Sequence, residues 1–195
     1  PIEVHVGALF HDIGKMVEPE YFTENQKTDR NPHEALEPKD SARVIINHVL
    51  YGVELARQYR LPDEIVEYIR THHGSSRVEF FYRLYKQQHP EMTPEDEKGF
   101  RYPGPLPHTK EQAIVMLADS VEAAARSLEH PSSEDIVRLV EQIVATKIND
   151  GQLNEAHITF KDVTQIKQQL IYLLQSIHHT RVKYPDAEPA RKMLV

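Results

Sequence analysis

The 195-residue sequence has no cysteine, which excludes disulfides, thiolate zinc sites and cysteine nucleophiles. It has no basic excess either. Its 23 Lys and Arg stand against 30 Asp and Glu, a formal net charge of −7, so the counterion release that holds proteins non-specifically to a phosphate backbone is missing and no nucleic-acid-binding module is expected. An anionic small molecule remains compatible with that charge where bound cations supply local positive charge. No run approaches the ~18 apolar residues of a membrane helix, and the first residues carry neither the basic flank nor the apolar core of a signal peptide. As given, the chain is expected to be soluble. What it does have is histidine, 12 residues of it, and a length that suits one domain with its own hydrophobic core.

The apolar spacing points to helices throughout. Residues 4–16 read as a short buried helix interrupted by His11 and Asp12. Residues 17–39 form a long polar connector carrying Pro19, Pro32 and Pro38. Helical spacing resumes over 41–60, where Val44, His48, Tyr51 and Leu55 share a row and the histidine interrupts an apolar stripe. Pro62 suits the first turn of the next helix, which closes on His72 and His73 before Gly74. Residues 77–89 read as a further helix, whereas 90–107 hold five prolines and two glycines and read as loop. Thr109 with Gln112 resembles a capping box, Ser132 or Ser133 opens the next helix towards Gly151, and Thr159 with Asp162 opens the last. No alternating strand pattern is present. The expectation is one all-α domain of six to eight helices over residues 1–184, followed by a poorly packed tail at 185–195.

Four places put metal-capable side chains where core residues belong: His11-Asp12, His48, His72-His73 and Asp119. Asp119 is the clearest oddity, since an ionised carboxylate on a helix of Ala, Val, Leu and Ile costs several kcal/mol unless paired or metal-bound. Lys15 or Arg126 would serve as an ion-pair partner. A divalent cation would account for the histidines as well, because neutral imidazole and carboxylate together suit zinc, iron or manganese. Adjacent helical residues point about 100° apart, so His11 and Asp12 suit a groove between two ions better than one distant ion.

The run His11-Asp12-Ile13-Gly14-Lys15, with His48, His72-His73 and Asp119 following in that order, resembles the HD-domain superfamily of metal-dependent phosphohydrolases. The stretches 22–26, Asn31-Pro32-His33, His72-His73-Gly74, 100–105 and 119–126 are similar to the cytoplasmic domain of seven-transmembrane HD proteins of the PgpH type. That resemblance implies a phosphodiesterase that hydrolyses cyclic di-AMP to linear pApA through a hydroxide activated by two metal ions, iron or manganese by preference. It assigns His11, Asp12 and Asp119 to one ion, and Asp12, His48, His72 and His73 to the other. It also implies a location at the cytoplasmic face of a bacterial inner membrane, with a membrane-spanning region upstream. The family pattern has a further ligand histidine upstream of the His-Asp pair, whereas this sequence begins eleven residues before Asp12. A fragment cut within the domain, with one metal site incomplete, is therefore expected.

Lys15 and Arg126 lie one and two helical turns from the proposed ligands and are placed to hold phosphate oxygens, Lys15 also in a catalytic role. Asn25 and Tyr102 are further candidates for substrate contact. His33 reads either as a loop residue or as a wall of the site. His178-His179, at the end of another apolar helix, reads as structural. Two other functions stay open: a nucleotide or alarmone hydrolase of the wider superfamily, and a cyclic-dinucleotide-binding regulatory domain without turnover. Gly74-Ser75-Ser76-Arg77 lacks the Gly-Tyr-Pro signature of the related HD-GYP enzymes.

Overall fold

The computed structural model describes residues 2–26 and 31–179. Among them are eight α-helices and no strand: α1 (Ile2–Phe10), α2 (Pro38–Gln58), α3 (Asp63–Thr71), α4 (Glu79–Gln88), α5 (Pro94–Lys98), α6 (Lys110–Ala125), α7 (Ser133–Asn149) and α8 (Phe160–His179). The expected boundary at 184 and tail at 185–195 lie outside the described residues.

The helix expected over 4–16 breaks at Phe10. His11 still closes a helical bond to the Gly7 carbonyl, but Asp12 sits at φ −101°, ψ 12°, and Ile13–Met16 forms a 3₁₀ turn. Gly14 explains the break. A Cβ there would lie 1.8 Å from the His48 carbonyl oxygen and 2.5 Å from the Gly52 nitrogen. Backbone thus packs on backbone, and the turn is seated on α2 directly beside His48. The connector is not featureless either; Pro19–Tyr21, Thr23–Asn25 and Pro32–Ala35 are 3₁₀ turns.

Other boundaries shift for local reasons. Helix α2 starts at Pro38 rather than Ser41, because proline lacks the N–H that a first helical turn leaves unpaired anyway. Pro62 is the cap before α3 rather than a residue of its first turn. The proline-rich stretch 90–107 contains α5, which the Thr93/Asp96 capping box and Pro94 at its first position nucleate despite its length of 5 residues. Phe100 and Tyr102 then pair with the backbone of Val78 and Ser76, as Val78 N–H donates to Phe100 O (2.7 Å) and Tyr102 N–H donates to Ser76 O (2.9 Å).

The apolar interior has three parts. Ala113, Met116, Leu117 and Val121 of α6 join Ile136, Val140 and Val144 of α7 and Val163 and Leu174 of α8. Ala42 of α2 packs with Phe81, Tyr82 and Phe100. Ala56, Val66 and Ile69 join α2 to α3, with Ile13 of the 3₁₀ turn against them.

Candidate metal centre

The break after α1, the middle of α2, the end of α3 and the middle of α6 meet in one groove. Three imidazoles there are locked alike. His11 Nδ1 lies 2.7 Å from the Ala8 carbonyl and His72 Nδ1 lies 2.8 Å from the Ile69 carbonyl, while His48 Nδ1 meets the Ile45 carbonyl. A carbonyl can only accept, so each Nδ1 donates its hydrogen and the lone pair of the neutral ring sits on Nε2, facing the groove. This is the supporting bond that orients metal-ligating histidines.

The Nε2 atoms of His48 and His72 are 3.1 Å apart, and Asp12 Oδ1 lies 3.3 and 3.6 Å from them. Two imidazole nitrogens and a carboxylate oxygen facing one another this closely repel unless a proton or a metal ion lies between them. On the other side, His11 Nε2 lies 3.2 Å from Asp12 Oδ2 and 3.5 Å from Asp119 Oδ1. His73 Nδ1 lies 3.7 Å from Asp119 Oδ2. The six side chains fall into two groups that share Asp12: Asp12, His48, His72 and His73, and His11, Asp12 and Asp119. Within each, the potential ligand atoms lie within 4.8 Å of one another. His11 Nε2 and Asp12 Oδ1 are buried without a hydrogen-bond partner. Such orphans are rare in folded proteins, and a nitrogen-and-oxygen donor set that includes them fits divalent metal ions.

The electrostatics agree. Burial would raise the Asp12 carboxyl, but the imidazoles of His11, His48 and His72 overcome it and hold Asp12 below the usual carboxylate range. Burial would likewise lower His11, yet the carboxylates of Asp119 and Asp12 push its pKa up to about 10. A metal ion and a proton compete for this same field. Burial drives His72 and His73 down, towards the neutral form a ligand needs.

Asp119 makes no ion pair with Lys15 or Arg126 among the described residues. Lys15 Nζ instead reaches Asp12 Oδ2 (2.8 Å) and Glu24 Oε1 (2.6 Å), and Arg126 pairs with Glu24 (3.1 Å) and Glu122 (2.8 Å). A cavity of about 710 Å³ beside the metal-capable cluster is lined by Lys15, Thr23, Glu24, Asp119, Glu122 and Arg126 among others. Tyr102 is buried and stacks on His73, with centroids 4.2 Å apart, so it backs the imidazole. Asn25 is exposed and outside the lining of that cavity. His33 meets the Tyr21 carbonyl (3.0 Å) and packs on Phe81, which fastens the connector to α4 rather than joining the cluster. His178 lies near the end of α8, in neither metal-capable group.

A family model described as HD domain matches residues 1–124. The chain belongs to the HD domain family. This HD domain is 44% identical over 182 residues to the cyclic-di-AMP phosphodiesterase PgpH of Bacillus subtilis (strain 168), covering 93% of the chain and 25% of that protein. It is 39% identical over 183 residues to the cyclic-di-AMP phosphodiesterase PgpH of Listeria monocytogenes serotype 1/2a (strain 10403S), covering 94% and 25%. The chain therefore spans about a quarter of the length of these curated relatives. The crystal structure of the L. monocytogenes phosphodiesterase PgpH HD domain in complex with cyclic di-AMP matches with a TM-score of 0.86 at 38% identity, over 90% of this chain and 81% of that one. No helix among the described residues is long and apolar enough to cross a membrane.

Sequence reasoning missed several residues around the HD domain's cluster. Phe22 is buried with its ring edge-on to His48. Glu24 joins Lys15 to Arg126. Gln152, 1% exposed, accepts from Ser75 N–H (2.9 Å) and donates to Ser75 Oγ (3.1 Å), while Lys147 donates to Ser76 Oγ (2.7 Å). The burial that gives Gln152 its role shows only in the structure, where a buried amide is nearly always fully bonded.

Proposed function

We propose that this HD domain is a metal-dependent phosphodiesterase that hydrolyses cyclic di-AMP to linear pApA. The observation that carries the reading is the inward-facing pair of Nε2 atoms of His48 and His72, 3.1 Å apart against Asp12, in a fold similar to a domain crystallised with that dinucleotide. His11, Asp12 and Asp119 would hold one ion, and Asp12, His48, His72 and His73 the other. Iron and manganese both accept this donor set of imidazole nitrogen and carboxylate oxygen. When bound, the ions supply an activated water and positive charge against the charge developing at phosphorus.

The chain's own groups do the rest. Asp12 is shared by both groups, so its carboxylate sets their separation. Lys15 Nζ has three N–H bonds, of which Asp12 and Glu24 take two, leaving one to donate to a non-bridging phosphate oxygen. Arg126 uses Nε and Nη1 on Glu122 and Glu24 and keeps Nη2 for the same purpose. Tyr102 keeps the His73 ring in place against the groove. Asn25, at the exposed edge, is assigned a contact with a substrate portion that extends beyond the cavity. The domain is proposed to work on the cytoplasmic side of a bacterial inner membrane, joined to a spanning region upstream.

The test is turnover of cyclic di-AMP beside guanosine tetraphosphate by protein purified without chelator, with metal analysis of the same sample. Linear pApA from the first substrate alone is expected, with iron or manganese bound. Release of pyrophosphate from the second alone would make the protein an alarmone hydrolase. Tight binding of cyclic di-AMP without linear product, in protein carrying its metal, would make it a regulatory binding domain.

A further inference from the structure

Glu24 stands between two cations that come from different parts of the fold. Lys15 belongs to the 3₁₀ turn after Asp12, and Arg126 caps the end of α6. The carboxylate oxygens are divided between them, Oε1 to Lys15 at 2.6 Å and Oε2 to Arg126 at 3.1 Å. With Asp12 and Glu122 the contacts form a continuous chain, Asp12–Lys15–Glu24–Arg126–Glu122, whose last four members line the cavity. The carboxyl of Glu24 lies below its usual range: burial opposes this, but the hydrogen bond from Lys15 foremost, then a backbone N–H and the charges of Lys15 and Arg126, outweigh it. A flexible lysine and a flexible arginine each lose substantial rotamer entropy when a ligand fixes them. A carboxylate that already fixes both removes part of that cost from substrate binding.

We propose that Glu24 is a positioning residue for the phosphodiester: it fixes the spacing of Lys15 and Arg126 and leaves their remaining N–H groups turned to the groove. This rests on the phosphodiesterase reading above and adds to it how the two cations are held. The opposite role is chemically conceivable, a carboxylate that occupies the cations until phosphate displaces it, and the two roles predict opposite signs. Glu24→Gln keeps the shape but removes the charge and puts an NH2 donor at one of the two oxygen positions, so in this geometry one of the two cations loses its acceptor. With a positioning role KM rises, about fivefold, and by more than kcat falls. With a displaced carboxylate KM falls, because one negative charge has left the groove.

The decisive experiment is a double-mutant cycle of Glu24→Gln with Arg126→Gln. It uses two substrates, cyclic di-AMP and bis(p-nitrophenyl) phosphate, a phosphodiester without adenine. Metal content and Tm are followed for each variant, and neither is expected to move, since Glu24 is partly exposed and is no part of either metal-capable group. The expected result is a raised KM in each single variant and a double variant that falls short of the product of the two, because Glu24 acts in part through the arginine and keeps only its share through Lys15 to lose. An additive double variant, an unchanged KM or a lowered KM overturns the proposal. Wild-type hydrolysis of the simple diester but not of cyclic di-AMP would sink the dinucleotide reading and leave the cycle to be read on the simple diester. Hydrolysis of neither by metal-loaded protein overturns both.

Discussion

Helix α6 separates two interiors built on opposite principles. On one side Ala113, Met116, Leu117 and Val121 close against α7 and α8 in an apolar core, where each group is satisfied by contact alone. On the other, Asp119 reaches His11 and His73 across a groove in which buried nitrogen and oxygen atoms lack partners. The first interior is complete as a polypeptide. The second gathers imidazole nitrogens and carboxylates whose mutual repulsion a proton or a metal ion relieves. The family model ends at residue 124, just inside the end of α6, so α7 and α8, which complete the apolar half, lie beyond it.

The largest effect should come from the group both halves of the polar cluster share. Asp12→Asn keeps the side-chain shape and removes the charge. Losing even a supporting partner of a metal ligand costs about 10- to 100-fold, so loss of the shared carboxylate should lower cyclic di-AMP hydrolysis by at least about 10²-fold and empty both groups of metal. Paired melts sharpen the contrast. Chelator should lower the Tm of metal-loaded wild type, because ligand binding to the native state adds to its stability, and should leave Asp12→Asn unmoved. Retention of two ions by the variant would show that Asp12 is not shared.

Next in size is the apolar side. Leu117 is fully buried against α7 and α8, and Leu117→Ala should cost about 2–5 kcal/mol by urea denaturation, from lost burial plus the cavity left behind. That cost should be the same with and without chelator. A loss that disappears when metal is removed would mean the two interiors are not separate.

What the sequence made legible follows the same division. The Thr109/Gln112 capping box and the Thr159/Asp162 pair are present, and of the two serines offered for α7 it is Ser132 that caps, in a box with Asp135; each N-cap hydroxyl accepts from the N–H three residues on. Such signals lie within one turn and depend on little else. The ordered histidines and acids could be read because an apolar stripe makes an intruding polar residue visible. Glu24 could not, since a glutamate in a polar connector carries no such contrast, and its meaning comes from Arg126 at the end of α6. The break at Phe10 was hidden for a related reason. Apolar periodicity continues through Ile13, and only the close approach of Gly14 to α2 shows why a helix cannot.

The smallest effect concerns the joint between the interiors. Gln152 follows α7 in sequence, yet its amide bonds Ser75, 77 residues earlier, in the loop that leaves His72 and His73. Gly74 adopts φ +54° there, and a Cβ would lie 2.4 Å from Gln152 Oε1, so loop and glutamine fit as one unit. Gln152→Ala removes the acceptor of the Ser75 N–H and should cost about 1–3 kcal/mol, the usual penalty for a polar group left unpaired. If α7 braces the histidines through this contact, the variant should also bind metal several-fold more weakly while Leu117→Ala does not, as a titration of apo protein with manganese would show. Equal metal affinity in Gln152→Ala and wild type would reduce the contact to ordinary packing, and the apolar half would then support the fold without tuning the cluster.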